Sequence, residues 1–342
     1  MSGFSRTENV LIVRLGSLGD VVHAIPVAAA LRNHFPHAHI DWAVDPRYVE
    51  LLDHVESLDR RIALDPRSMF GGASGLMSRL RELRQARYDV VIDLQGLLKS
   101  AILARAVNAG RTIGFPRAHL REPLARLFYT DAPDPGPAAH VIHKNLALLE
   151  PLGVTDRRVR FPIRIEQTPT VTSVAGRMGT SGYAILNPGA AWPNKRWPAD
   201  RFGTLATLLQ RETGLRSIVL WGPGEQTLAA SVAAASAGAA DIAPPTTITD
   251  LVGIARGAAL MVSGDTGPLH IGAAVGTPIV SLFGPTRSER NGPWSERDLT
   301  VARTATCSCL YERRCRRATP CIDEIPVDDV MSAVRRRLAA HG

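Results

Sequence analysis

The chain is expected to fold as an α/β protein with two doubly wound parallel sheets, and three observations predict this. Short β-branched runs alternate with longer amphipathic stretches, the pattern of helices laid on both faces of a parallel sheet. Two strand–glycine-loop–helix units, starting at Val10 and at Leu260, lie more than two hundred residues apart. A length of 342 residues exceeds one ordinary core and suits two domains of roughly 150 to 180 residues each.

The first domain is expected over residues 1–165. Its β-branched runs predict strands at Val10–Leu15, Ile40–Val44, Val90–Leu94 and Thr112–Phe115. Amphipathic stretches predict helices at Asp20–His34, Ser74–Arg87, Gly96–Val107 and Ala139–Leu149. Pro162–Ser181 is rich in Thr, Ser, Pro and Gly with little periodicity, which reads as a linker. The alternation restarts in a second domain over residues 180–342. Strands are expected at Tyr183–Leu186, Ser217–Trp221, Leu260–Ser263 and Ile279–Phe283. Helices are expected at Ala199–Thr213, Gln226–Ala235, Thr249–Gly257, Pro268–Val275 and Val327–Leu338. The last is arginine-rich at its end, matching the negative pole of the helix dipole, and is a candidate to pack back on the first domain.

Hydrophobic residues make up 45% and charged residues 21%, which argues against disorder. The net charge is +8, and Lys99, Lys144 and Lys195 are the only lysines. Such an arginine excess is what a GC-rich genome would produce; the guanidinium forks also suit phosphates and carboxylates. The charge forms no basic tail and aromatics are sparse at 5%, so nucleic-acid binding has no support. The longest apolar stretch, Val21–Leu31, is broken by His23 and Pro26, far short of the roughly 20 residues of a membrane span. Met1–Asn9 has no signal-peptide apolar core, so a cytoplasmic chain is expected. Basic patches would still let it work at a membrane surface.

Both glycine-loop units bring a carboxylate and free helix-start amides to the C-terminal edge of a strand, where open parallel sheets bind ligands. Together they suggest a cleft holding a nucleotide donor against an acceptor. In the second unit Gly264 and Gly267 allow tight turns and close ligand approach. Thr266 can cap the helix that Pro268 opens, and the exposed amides suit a diphosphate. Asp265 would repel phosphate; it either accepts hydrogen bonds from sugar hydroxyls or caps its own turn. Lys195 and Arg196 stand in a strand-to-helix loop at the same edge, either to neutralise a departing diphosphate or as a solvated loop pinned by Trp197.

In the first unit, Gly16-Ser17-Leu18-Gly19 is too short for a dinucleotide fingerprint. Asp20 at the helix start is a candidate general base, if burial raises its pKa, or simply a helix cap. His23, one turn on, is expected to share its face. No Asp-x-Asp pair for a metal-bound nucleotide occurs in the chain, which points to cations and helix dipoles as the neutralising groups.

Ile12 to His23 resembles the opening of the bacterial lipopolysaccharide heptosyltransferases, glycosyltransferase family 9, of GT-B fold. Val262 to His270, with Phe283-Gly284-Pro285-Thr286, is similar to their nucleotide-sugar motif, and Lys195-Arg196-Trp197-Pro198 to their phosphate-contacting loop. Tyr88 to Ser100 and Arg121 to Tyr129 look like the heptosyltransferase I branch. The resemblance implies two Rossmann-like domains facing across a cleft, with acceptor binding in the first and nucleotide-sugar binding in the second. It implies inverting transfer, without metal or cofactor, of L-glycero-D-manno-heptose from ADP-heptose to Kdo on Kdo-lipid A. Asp20 would be the base, with Ser17, Gly19, His23, Arg67 and Arg121 on the acceptor side. Lys195, Arg196, Asp265, Thr266, Gly267, Leu269 and His270 would bind the donor. A monomer is expected, cytoplasmic or peripheral on the inner face of the inner membrane.

Cys307, Cys309, Cys315 and Cys321 depart from the heptosyltransferase I pattern. They lack the usual C-x2-C knuckles; a structural metal, free thiols and a regulatory disulfide all remain open. The alternatives to heptosyltransferase I are heptosyltransferase II or a relative using another nucleotide sugar. Further off stand an NAD-dependent dehydrogenase or a sugar-nucleotide epimerase.

Overall fold

Alternating apolar runs and amphipathic stretches resolve, in the computed structural model, into two compact units, Met1–Arg164 and Ile165–Gly342. The structure describes residues 7–65, 80–137, 139–179 and 182–340. In the first unit, β1 (Asn9–Val13), β2 (His39–Val44), β3 (Arg60–Ala63), β4 (Val90–Asp93) and β5 (Arg111–Ile113) form one sheet in the order β3-β2-β1-β4-β5. All its pairings are parallel. Val10, Leu11, Ile12 and Val13 are fully buried, as a strand covered on both faces requires.

β1 leads into α1 (Leu18–Val22) and α2 (Ile25–His34). The single helix expected over Asp20–His34 is therefore two, with His23 and Ala24 between them and Pro26 in the first turn of the second. A proline lacks the amide that a helix interior needs and fits only at a helix start. α3 (Val49–Asp53) precedes β3, a strand not anticipated because Arg60-Arg61-Ile62-Ala63 is polar along one edge. α4 (Leu98–Ala106) and α5 (Val141–Ala147) fall inside the expected spans. Residues 80–85 are helical; the expected helix start at 74–79 lies outside the described residues.

The expected linker contains a helix, α6 (Pro169–Met178). Pro169 opens it and Thr168 Oγ1 accepts the Val171 amide at 3.1 Å. Val171, Val174 and Met178 are buried on one face, the spacing of an amphipathic helix. Polar composition hid that three-residue stripe. The second sheet comprises β6 (Tyr183–Asn187), β7 (Arg216–Val219), β8 (Ala240–Ile242), β9 (Leu260–Gly264), β10 (Ile279–Phe283) and β11 (Leu299–Ala302). Its order is β11-β10-β9-β6-β7-β8, again parallel throughout. The helices are α7 (Ala199–Thr213), α8 (Gln226–Ala235), α9 (Ile248–Gly257), α10 (Gly267–Ala274), α11 (Ser288–Asn291) and α12 (Val327–Ala339).

α12 buries Val330, Met331, Ala333 and Val334 in the second unit's own core, beside Phe202, Leu205, Val280 and Leu282. Its Arg337 Nε reaches buried Asp298 Oδ1 at 2.8 Å. This apolar face is part of the second unit's core.

Both sheets share one logic. In each, the first strand lies between the second and the fourth, so helices leave in opposite directions on its two sides. Such a switch point opens a crevice at the carboxyl ends of the strands. In the first unit it falls between β1 and β4, and in the second between β6 and β9.

Two glycines test the packing. A Cβ at Gly114 would lie 2.3 Å from Tyr129 Cε2, and Tyr129 Oη donates to buried Asp93 Oδ2 at 2.8 Å. Gly114→Ala is expected to cost about 1–3 kcal/mol, read as a lower urea midpoint. At Gly176, on the exposed side of α6, an added methyl meets nothing within 4 Å. Gly176→Ala should stabilise by roughly 0.5–1 kcal/mol.

Candidate active site

At the β1/β4 switch point the chain leaves β1 through Arg14, which is buried. Arg14 Nη1 donates to the Leu94 carbonyl at the end of β4, and its Nη2 meets Asp20 Oδ1 at 2.6 Å. Asp20 Oδ2 accepts the Ser17 amide at 3.1 Å and the Ser17 hydroxyl at 3.0 Å. Asp20 therefore closes a capping box at the start of α1. It faces a guanidinium, with 29% of its side chain exposed. Gln95 Oε1 accepts the Leu15 amide at 3.1 Å and pins the loop to β4.

Ser17, Gly19 and Asp20 share this edge. His23 is buried, its ring edge-on to His140 with centroids 5.5 Å apart, so it does not share the partly exposed setting of Asp20. Arg121 is exposed, next to the 3₁₀ turn Pro123–Phe128. Arg67 lies outside the described residues.

At the β6/β9 switch point the strand ends are tied by Asn187, whose Nδ2 donates to Ser263 Oγ at 2.9 Å and Thr266 Oγ1 at 3.0 Å. Thr266 holds the N-cap position of α10, but its hydroxyl makes no capping bond to the helix. It bonds Asn187 instead, and the first-turn amides of Gly267 and Leu269 keep no side-chain acceptor from the cap. A helix start of this kind is suited to an anion. The approach that Gly264 permits is the protein's own: a Cβ there would lie 2.8 Å from the Lys195 carbonyl.

Asp265 is buried and fully engaged. Its Oδ2 meets Lys195 Nζ at 2.5 Å and accepts from Thr286 Oγ1 at 2.7 Å. Its Oδ1 accepts from Asn291 Nδ2 at 2.7 Å and lies 3.3 Å from His270 Nε2. Burial pushes this carboxyl upward, but the His270 bond, the Lys195 charge and the Lys195 bond outweigh it and hold it below the usual carboxylate range. Lys195 Nζ also sits 4.5 Å from the Trp192 ring centroid, a cation–π contact. Arg196 Nε donates to the Ala190 carbonyl at 2.8 Å and its Nη2 lies 3.5 Å from Glu225 Oε1.

Thus Lys195, Asp265, Thr266 and His270 converge, with Arg196 nearby. Sequence reasoning missed Arg14, Gln95, Asn291 and Glu225. Glu225 follows Gly222-Pro223-Gly224 at the end of β7, and a Cβ on Gly189 would strike its carboxylate at 2.0 Å. That glycine-lined turn was the available signal.

A strap over residues 303–325 braces these loops. The Tyr311 amide donates to the Pro285 carbonyl at 2.8 Å, Asn194 Nδ2 to the Glu312 carbonyl at 3.0 Å, and Thr304 Oγ1 to the Thr286 carbonyl at 3.2 Å. The strap carries the four cysteines as free thiols. Cys309 neighbours Cys315, and Cys307 neighbours Cys321. Burial pushes the Cys321 thiol up to about 12, while the Arg316 amide, 3.1 Å from Cys309 Sγ, draws that thiol down. Among the described residues no three His, Cys, Asp or Glu side chains gather as a metal-binding group.

Asp265→Ala would leave Lys195, only 14% exposed, without its counter-charge, and should cost about 3 kcal/mol or more. Adding Lys195→Met should recover part of that loss in a denaturation double-mutant cycle. A carboxyl held low in the folded state contributes fully above its unfolded pKa, and the contribution is lost as pH falls through the folded value. The stability gap between the wild type and Asp265→Asn should therefore hold at neutral pH and narrow only below about pH 4.

The sequence profile of glycosyltransferase family 9 (heptosyltransferase) matches residues 77–319. A lipopolysaccharide heptosyltransferase 1 from Pseudomonas aeruginosa is 28% identical over 319 residues, covering 90% of this chain and 87% of that protein. A lipopolysaccharide heptosyltransferase 3 from Escherichia coli is 26% identical, covering 94% of this chain and 95% of that one. The solved structure of E. coli heptosyltransferase WaaC with ADP superposes with a TM-score of 0.77 at 23% identity, over 96% of this chain and 99% of that one. The two doubly wound sheets are those of the GT-B class, and with more than half its length matched, the chain belongs to glycosyltransferase family 9, the heptosyltransferases.

Proposed function

We propose that this enzyme moves L-glycero-D-manno-heptose from ADP-heptose to a Kdo residue of Kdo-lipid A in lipopolysaccharide core synthesis, with inversion. The observation that carries the donor half is Lys195, held on Asp265 at the β6/β9 switch point beside the start of α10. A cation next to open helix amides is the chemistry of a diphosphate site. The Pseudomonas relative carries the heptosyltransferase 1 name, and the WaaC structure was solved with ADP.

The mechanism follows from charge. Asp20, kept in register by Arg14 and Ser17, takes the proton of the acceptor hydroxyl. That oxygen forms a bond to the anomeric carbon as the bond from this carbon to the diphosphate oxygen breaks on the opposite side. ADP leaves with the electron pair, and Lys195, Arg196 and the amides of Thr266, Gly267 and Leu269 stabilise its charge. A sugar hydroxyl reaching Asp265 must displace one of its present donors, because Lys195, Thr286, Asn291 and His270 occupy both oxygens. Release of Lys195 toward phosphate would make that exchange favourable. Ser17, Gly19, His23 and Arg121 would form the acceptor side, Arg121 meeting the Kdo carboxylate, with Arg67 added from outside the described residues. The enzyme is taken to act as a cytoplasmic monomer.

The 26% match to a heptosyltransferase 3 over nearly the whole chain favours one second reading, the same donor chemistry on another core acceptor. The dehydrogenase and epimerase readings fall with the family assignment.

The test is to incubate the protein with ADP-heptose and UDP-sugars, against Kdo-lipid A and heptosylated acceptors, following nucleotide release and product mass. Release of ADP with addition of one heptose to Kdo is expected; transfer only to an already heptosylated acceptor would overturn the acceptor assignment. Asp20→Asn should lower turnover by about 10²–10⁴ while ADP affinity stays near wild type, and near-normal turnover would remove Asp20 as the base.

A further inference from the structure

Large apolar side chains are exposed at five described positions, and three of them, Ile102 at 41%, Leu124 at 61% and Leu127 at 79%, sit on adjoining elements of the first unit. Leu124 and Leu127 belong to the 3₁₀ turn Pro123–Phe128. Residues three apart eclipse in a 3₁₀ turn, so these two form one ridge. On the other side of the turn Ala125 is fully buried. The turn packs against α4, and Glu122 Oε2 accepts the Leu98 amide at 2.7 Å, joining the two at the helix start. On α4, Lys99, Ile102 and Arg105 are exposed at a spacing of three, one side of a helix, while Ala101, Leu103 and Ala104 are buried.

Cations surround the leucine ridge. Arg117 and Arg121 are exposed just before it, and Lys99 and Arg105 flank Ile102. Nearby, Glu122 accepts the Leu98 amide, Asp131 pairs with Arg111 at 2.7 Å, and Asp134 lies 3.8 Å from His119. Two bare leucines within a cationic rim fit a surface that is apolar underneath and anionic on top.

We propose that the face formed by the 3₁₀ turn Pro123–Phe128 and α4 docks on an anionic lipid bilayer, with Leu124 and Leu127 entering the headgroup layer and Lys99, Arg105 and Arg117 meeting lipid phosphates. Leucine supplies apolar burial, and each cation near the surface adds attraction that salt screens. The inference deepens the proposed function, resting on that reading only for its purpose, which is to hold the enzyme on the surface that carries its acceptor.

The experiment is co-sedimentation of the purified protein, without donor or acceptor, with vesicles of mixed phosphatidylglycerol and phosphatidylcholine, and with phosphatidylcholine alone. The wild type should bind the anionic vesicles, bind the neutral ones far less, and dissociate as salt rises. The double variant Leu124→Ser/Leu127→Ser should weaken binding by about tenfold or more. Lys99→Gln/Arg105→Gln/Arg117→Gln should also weaken it and flatten the salt dependence. Unchanged circular dichroism and ADP affinity would show both variants folded. No binding by the wild type, or equal binding by both variants, would overturn the proposal. So would a concentration-dependent dimer that the leucine variant abolishes while vesicle binding persists, because a second copy would then cover the face. Transfer to a deacylated, water-soluble acceptor separates the two ideas. Vesicle binding without transfer sinks the reaction and keeps the docking face, and transfer without vesicle binding does the reverse.

Discussion

One buried carboxylate organises the second unit's candidate site. Asp265 gathers donors from four segments: Lys195 after β6, His270 on α10, Thr286 after β10 and Asn291 on α11. Each of these loops has its own reason to wander, and a single pair of oxygens fixes them together. A carboxylate that buried is tolerable only while its charge is matched and its lone pairs are filled. Under the proposed mechanism, a phosphate competing for Lys195 would free one acceptor position on Asp265 and so link anion capture to hydroxyl capture.

The first unit uses a related device more openly. Arg14 lies under the β1/β4 crevice and joins Asp20 to the end of β4, and Gln95 ties the glycine loop from the other strand. In both units, then, the strands on either side of the switch point are linked by side chains that bridge the gap. The crevice is a consequence of strand order, and the polar bridges keep its rim in register.

Much of this was legible in the chain. β10, α7 and α8 occupy the predicted residues, because long periodic stretches with clean ends leave little choice. That Lys195, Asp265 and Thr266 lie together was anticipated from loops that follow strands at the ligand edge of a parallel sheet, while His270 entered only through the family resemblance. The misses have physical causes. α6 hid behind threonines and a proline that turned out to be its cap and first residue. β3, β8 and β11 are short strands outside the centre of each sheet, where apolar patterning weakens. Asn291 and Glu225 join the candidate site only through partners brought near by the fold, and no local pattern reports a bond across 26 or 29 residues. His23 lies three residues from Asp20, as helical spacing suggested, and its buried ring is edge-on to that of His140, a contact no local pattern reports.

The strap over residues 303–325 grips the site mainly through backbone atoms. Its offered groups are the amides of Arg303 and Tyr311 and the carbonyl of Glu312, with one hydroxyl from Thr304. Main-chain groups are common to almost every amino acid, so substitution at exposed strap positions such as Arg313, Arg314 and Arg316 leaves these bonds available, whereas buried Cys309, Cys321, Ile322 and Ile325 hold the strap by packing.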